Sequence, residues 1–321
     1  MPKVFVTRKI PESGIELLKK EGFEVEVSDF DGVLPRQQLL EKVKGVDAIL
    51  SLLTDKMDAE LMQAAGSQLK IIANYAVGYD NINLQDAAAH NLIITNTPGV
   101  LTESVAEHAI ALIFALAHRI VESDQYMRDG KYTGWAPMLF LGNDLVGKTL
   151  GLVGLGRIGE AVAKRMFDGF EMKILYYDVK RNEEAEGKYK LEYRDLESLL
   201  KDSDFISVHV PMTPETKHLI GGPQFKMMKK TAYLINTARG PIIDENALVA
   251  ALKAGDIRGA ALDVYEQEPK MAEGLAGLQN TVLTPHTASA TEETRGAMSE
   301  LAARNIIAVL KGGEPETPVK I

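Results

Sequence analysis

The chain has 321 residues, 45% hydrophobic and 25% charged, with no cysteine and a formal net charge of −9. That length suits two domains rather than one core, and the missing cysteine excludes disulfides, a thiolate nucleophile and cysteine metal sites. The acidic balance argues against nucleic-acid binding. No apolar run approaches the ~20 residues of a bilayer span, and the opening MPKVFVTRKIPESG lacks an apolar signal core, so a cytoplasmic protein without membrane attachment is expected.

The first hundred residues alternate between strand and helix patterns. The runs KVFVT, FEVEV, DAILSLL, LKIIANYA and LIITNT are β-branched or apolar, and SGIELLKKE, PRQQLLEKV and DAELMQAA between them have helical character. Such alternation predicts a parallel, doubly wound α/β sheet. Next comes VLTESVAEHAIALIFALAHRIVESDQYMRDG, which predicts one helix of about eight turns with an apolar stripe. The connector KYTGWAPMLFLGNDL follows and is unusually apolar. Its Trp135, Met138, Leu139 and Phe140 suit either a local core or, better, a protein interface, where aromatic residues and Met concentrate.

A second α/β series starts at Thr149 with the strands TLGLVGLG, KILYYD, FISVHVP, AYLINTA, GAALDV and TVLTPH. Its helices include RIGEAVAKRMF, DLESLLKD and DENALVAALKAG, the last with Asp244 as N-cap and Gly255 as the residue that ends it. The final amphipathic segment, TEETRGAMSELAARNIIAVLKGG, is expected to return to the first block. The substrate domain is then discontinuous, 1–99 with 289–321, and 100–288 forms a nucleotide domain. Crossings near Asn96–Gly99 and Ser289 would hinge the two around a cleft.

Within the second series, Gly154-Leu155-Gly156-Arg157-Ile158-Gly159 follows an apolar strand and opens a helix, and Asp178 closes the next strand. In that context the pattern reads as a dinucleotide fingerprint. Gly154 permits the tight turn, Gly156 lets backbone approach a pyrophosphate, and Gly159 allows close helix–strand contact. The helix N-terminus supplies free N–H groups. A carboxylate at Asp178 accepts hydrogen bonds from ribose hydroxyls and repels a 2′-phosphate, which favours NAD(H); Lys180 and Arg181 soften that preference, so NADP(H) stays open.

Three further residues fall where strands end: Arg239 in NTARGPIIDE, Glu268 after ALDVYEQEP begins, and His286 in LTPH. Ligands of open α/β sheets bind outside the carboxyl ends of strands. A cationic fork, a carboxylate and an imidazole at three such ends suit anion binding and proton transfer. Taken singly, each has a plainer reading: a surface ion-pair partner, an exposed turn carboxylate, a strand-end histidine. His90, His108, His118 and His218 read as helical or surface residues, and no metal set emerges.

The chain closely resembles the D-isomer-specific 2-hydroxyacid dehydrogenases, and among them the glyoxylate/hydroxypyruvate reductases. The resemblance runs over nearly the whole length. It is carried by the segment Asn74-Tyr75-Ala76-Val77-Gly78-Tyr79-Asp80-Asn81-Ile82, by NTPGVLTESVAEHAIAL, GLGRIG, HVPMTPETKHLI, NTARGPIIDE and ALDVYEQEP, and by LTPHTAS. It implies a flavodoxin-like substrate domain and a Rossmann cofactor domain, with Arg239, Glu268 and His286 as the catalytic residues. It places cofactor contacts at Gly154 through Gly159, Asp178, Val179, Lys180, His209, Val210, Pro211, Thr216, Thr237, Ala238, Arg239, Asp263, His286 and Ala288. Substrate contacts fall at Leu53, Val77, Gly78, Arg239 and His286, with the backbone N–H groups of Val77 and Gly78 binding a carboxylate. The long helix and the arm over about 119–145 are expected to build a homodimer.

The expected reaction is reduction of a small 2-oxo acid to the 2-hydroxy acid. Val77 stands where phosphite dehydrogenases carry lysine, and Glu268 where formate dehydrogenases carry glutamine, so both sister activities are disfavoured. Leu52 and Leu53 offer a small apolar wall suited to glyoxylate or hydroxypyruvate, although Leu53 equally suits plain core. A larger 2-oxo acid or 3-phosphoglycerate is the alternative substrate. A corepressor-like protein that responds to NAD is the alternative of another class.

Overall fold

The computed structural model describes every residue, Met1–Ile321. Two compact units divide the chain, Met1–Leu101 with Ala290–Ile321, and Thr102–Ser289. The first begins with β1 (Lys3–Val6), α1 (Glu12–Lys20), β2 (Glu24–Val27), α2 (Arg36–Lys42), β3 (Ala48–Ser51), α3 (Ala59–Ala65), β4 (Ile71–Asn74), α4 (Leu84–Ala89) and β5 (Ile93–Thr95). Its five strands pair in parallel in the order β2-β1-β3-β4-β5, the flavodoxin-like order. Successive strand residues face opposite sides, so Phe5, Ile49, Ile72 and Ile94 pack with Leu39, Leu61 and Met62 of α2 and α3.

The second unit opens on two helices, α5 (Thr102–Ala117) and α6 (Ile120–Arg128), where a single long helix is expected from sequence. They meet at a 63° bend. Arg119 stands between them in the left-handed region (φ 53°). Its guanidinium pairs with Glu122 and lies 5.0 Å over the Phe140 ring. The freed Ala117 carbonyl accepts the Asn143 N–H at 2.8 Å, so the returning arm caps the break. Burial also ends there: α5 buries eight residues, α6 none. No single helix is long and apolar enough to cross a membrane.

The unit continues through β6 (Thr149–Val153), α7 (Arg157–Phe170), β7 (Lys173–Tyr177), α8 (Glu183–Tyr189), β8 (Glu192–Tyr193), α9 (Leu196–Asp202), β9 (Phe205–Val208), α10 (Gly222–Met227), β10 (Tyr233–Asn236), α11 (Glu245–Ala254), β11 (Gly259–Leu262) and β12 (Thr281–Leu283). All seven strands are parallel, in the order β12-β11-β10-β9-β6-β7-β8. The order reverses at β6, as in a Rossmann sheet extended by one strand. Helices cover both faces. Tyr233 and Ile235 point into one apolar cluster with α5 and α7, and Leu234 into the other with α11. Asp244 caps α11 by accepting the Ala247 N–H at 2.9 Å, and Gly255 ends it in the left-handed region, as the sequence predicts.

The last helix, α12 (Glu292–Leu310), returns to the first unit and packs along α1. Gly14 allows the approach, since a Cβ there would lie 2.2 Å from the Ser299 carbonyl oxygen. The Ser299 hydroxyl bridges the two helices, donating to the Pro11 carbonyl at 2.7 Å.

Candidate active site

In a parallel sheet all carboxyl ends share one edge, and the residues singled out from sequence in the second unit follow those ends. The glycine turn follows β6, Asp178 follows β7, and His209–Pro211 follow β9. Thr237–Arg239 follow β10, Asp263 follows β11, and His286 comes after β12.

The glycine turn divides into crowded and open positions. Gly154 has φ +101°, and a Cβ there would stand 2.8 Å from the backbone of His209 and Val210. A Cβ on Gly159 would meet the Gly154 carbonyl oxygen at 2.4 Å, so this residue lets α7 approach the turn. A Cβ on Gly156 would meet nothing within 4 Å. That open face adjoins the first turn of α7, whose N–H groups have no intrahelical acceptors. The Asp178 carboxylate accepts the Leu155 N–H at 2.7 Å, which ties the turn to the end of β7. Thr237, 8% exposed, holds a buried hydroxyl with no partner. An open glycine face, a helix N-terminus and an unpaired hydroxyl on one sheet edge fit a dinucleotide.

His286 and Glu268 meet. Nδ1 of the imidazole lies 2.9 Å from Glu268 Oε2 and 3.2 Å from Oε1. Both side chains remain partly open, 26% and 31% exposed. Burial opposes the charged form of Glu268, but the His286 hydrogen bond and charge, the Tyr265 N–H and the Arg239 charge outweigh it and hold the carboxyl below its usual range. His286 itself sits in the left-handed region (φ 56°). Its loop is fastened by Asp263, which is fully buried: the carboxylate accepts the Thr284 hydroxyl at 2.6 Å and the N–H groups of Thr287 and Ala288 at 2.8 Å each. His108 braces the same point, with Nε2 at 3.2 Å from the Thr284 hydroxyl. It therefore supports the His286 loop from helix α5, a specific contact that the reading of His108 as a helical or surface residue did not include.

Arg239 is aimed by a residue that sequence reading passed over. Asn236, 1% exposed, ends β10 and folds its amide over the next loop. It donates to the Arg239 carbonyl at 2.9 Å and accepts the Ala238 N–H at 3.0 Å. Gly240 then brings this loop against the segment carrying Glu268, because a Cβ there would fall 1.9 Å from the Tyr265 carbonyl group. Glu245, 3% exposed, holds that segment from the other side by accepting the N–H groups of Glu266 and Ala272. The available signals were local: an asparagine closing an apolar strand, and a glutamate directly after a helix cap.

Other expected contacts are placed differently from one another. Val179 is 96% exposed, whereas Thr216 spends its hydroxyl on the Pro211 carbonyl at 2.7 Å. The His209 imidazole is turned inward to Ser207 (2.9 Å), and burial pushes its pKa down to about 4. In the first unit, Leu52, Leu53, Val77 and Gly78 are half-buried. Leu53 is absent from the buried cluster that fills the first unit. In the arm, Trp135 and Met138 are 83% and 76% exposed, while Phe140 packs edge-on against Tyr126 at 5.2 Å.

Residues 110–288 match the family model for the D-isomer specific 2-hydroxyacid dehydrogenase NAD binding domain. The chain is 54% identical over 318 residues to a glyoxylate reductase of Thermococcus litoralis, covering 98% of this chain and 95% of that one. Among solved structures it is similar to the TT0316 protein of Thermus thermophilus, with 43% identity, TM-score 0.92, and coverage of 99% and 100%. It is also similar to an NADPH-dependent glyoxylate/hydroxypyruvate reductase of Sinorhizobium meliloti solved with NADP and malonate, with 36% identity, TM-score 0.86, and coverage of 99% and 96%.

Proposed function

From the premise that the chain belongs to the D-isomer-specific 2-hydroxyacid dehydrogenase family, we propose that it reduces glyoxylate or hydroxypyruvate to the 2-hydroxy acid, as the D isomer where chiral, with NADH as reductant. The observation that carries this reading is the 2.9 Å pair of His286 and Glu268 on the edge that bears the glycine turn. An oxidoreductase of this family needs a proton donor beside its nucleotide, and an imidazole held by a charged carboxylate supplies one.

The nicotinamide, when bound, supplies hydride to C2 of the 2-oxo acid. His286 gives its proton to the carbonyl oxygen from Nε2, because Nδ1 is held by Glu268. Glu268 fixes the ring orientation and stabilises its positive charge. Arg239 grips the substrate carboxylate with its planar fork and polarises the carbonyl. The N–H groups of Val77 and Gly78 add a second carboxylate anchor, and Leu53 limits the substituent.

NAD(H) is favoured over NADP(H) by Asp178 and by the state of Arg181. That guanidinium forks onto Glu186 with two contacts of 2.7 Å, and the hydrogen bonds from Arg181 and Tyr176 pull the Glu186 carboxyl down to about 2. Of the two cations that follow Asp178, Arg181 is thus engaged and Lys180 makes no ion pair. A homodimer is supported by the apolar exposure of α6 and the arm, where Ile120, Val121, Met127, Trp135 and Met138 are each at least half exposed. A cytoplasmic setting is in keeping with the cysteine-free chain.

The test is oxidation of NADH and of NADPH with glyoxylate, hydroxypyruvate and phenylpyruvate in one panel. The expected result is highest kcat/KM with one of the two small acids and with NADH. Preference for phenylpyruvate would overturn the substrate reading, and equal efficiency with NADPH would overturn the cofactor reading.

A further inference from the structure

The turn after β4 has three successive carbonyls held from outside it. The Ala76 carbonyl accepts the Thr97 N–H at 2.8 Å. The Val77 carbonyl accepts Asn96 Nδ2 at 2.7 Å, and the Gly78 carbonyl accepts Asn74 Nδ2 at 2.9 Å. A peptide unit is planar and trans, with C=O and N–H on opposite sides. Each of these bonds therefore also aims the N–H that follows, on Val77, Gly78 and Tyr79 in turn. None of those three N–H groups donates to a protein acceptor. A concavity of successive N–H groups of this kind suits an anion.

One of these side chains, Asn74, also ties the turn to the neighbouring loop. Asn74, fully buried, exchanges hydrogen bonds with the Asn81 amide at 3.2 and 3.3 Å and accepts the Ser51 hydroxyl at 3.0 Å. Asn81 also donates to the carbonyls of Leu52 at 3.1 Å and Asp55 at 2.9 Å. Asp55, 4% exposed, closes that loop by accepting the Leu52 N–H at 2.8 Å and the Thr7 hydroxyl at 2.5 Å. A buried polar network with every member engaged makes its loops rigid.

We propose that Asn74, Asn81 and Asn96 are positioning residues for the reaction. They aim the N–H groups of Val77 and Gly78 at the substrate carboxylate, and they fix the distance from that anchor to Leu52 and Leu53, which sets the substituent accepted. This rests on the reading of the turn as a carboxylate site. Asn96 is the residue to test, because it is only half-buried and its side chain makes a single hydrogen bond, to the turn.

The experiment compares wild type with Asn96→Ala and Asn96→Asp on glyoxylate and on methylglyoxal, a 2-oxo aldehyde without a carboxylate, with folding followed by thermal unfolding. Loss of a hydrogen bond that organises a charged contact is expected to raise KM for glyoxylate about tenfold. kcat, NADH affinity and kcat/KM for methylglyoxal stay close to wild type. Asn96→Asp keeps the shape while removing the donor, so it gives the same result if Asn96→Ala folds poorly. Equal losses on both substrates, or a preference for the carboxylate left intact in the variants, would overturn the positioning role alone. A wild-type enzyme with no preference for the carboxylate would overturn the underlying reading of the turn.

Discussion

His209 and His286 follow the ends of two strands in one sheet, and their surroundings give them opposite fates. His209 is turned in on Ser207, and burial pushes it down to about 4, so it is neutral in the folded protein through the neutral range. An unfolded histidine titrates near its ordinary value of 6.5. Between these two values the unfolded chain binds a proton that the folded one refuses, so His209 lowers stability as pH falls from about 6.5 towards 4, and adds nothing further below that. The expected outcome is an acid limb in unfolding free energy that flattens in His209→Gln; an unchanged limb would show that His209 is not its source. His286 instead faces a carboxylate, and that partner suits it to donate a proton.

What was legible at this scale follows from residue type. Arg239, Glu268 and His286 each have a plainer reading alone but stand out as a set beside the fingerprint, whose glycines sit at recognisable spacings. The residues that aim them did not stand out. Asn236, Asn74 and Glu245 do their work through backbone groups two to four, or over twenty, residues away. Such partners are defined by tertiary position, and a single sequence does not display them. One regularity is visible afterwards: in both units an apolar strand ends in asparagine, and its amide caps the loop that follows.

At the scale of elements, alternating patterns predicted both sheets because strands buried on two faces leave continuous apolar runs. The long central helix was misread for a physical reason. The apolar pattern does continue past Ala117 into residues such as Ile120 and Val121, but Arg119 turns left-handed and the arm caps the exposed carbonyl. That interruption depends on Asn143, more than twenty residues further on. The glycine turn gives this scale its own prediction. A Cβ on Gly156 would meet nothing within 4 Å and its φ is −78°, so Gly156→Ala brings no clash or strain and should cost only about 0.5–1 kcal/mol as a helix-cap change. NADH affinity should nevertheless fall about tenfold, since a methyl group would stand where backbone meets pyrophosphate. Unchanged NADH binding by titration would remove the turn from the cofactor site.

For the whole molecule, the apolar face of α6 and the arm makes assembly the most testable property. Trp135 and Met138 are large apolar side chains left mostly exposed and lying close together in sequence, a pattern that suits an interface. Light scattering at micromolar concentration should return a mass near 70 kDa, about twice the 35.1 kDa chain. Trp135→Glu with Met138→Glu should shift it towards the monomer, and a monomeric wild type would contradict the homodimer.

The central claim is that His286 moves the proton of a 2-oxo acid reduction, and kcat/KM of His286→Asn with glyoxylate and NADH tests it most directly when NADH affinity is measured alongside. Loss of a general acid is expected to lower the rate by about 10²–10⁴-fold with NADH binding retained. Activity within a few-fold of wild type would contradict the account.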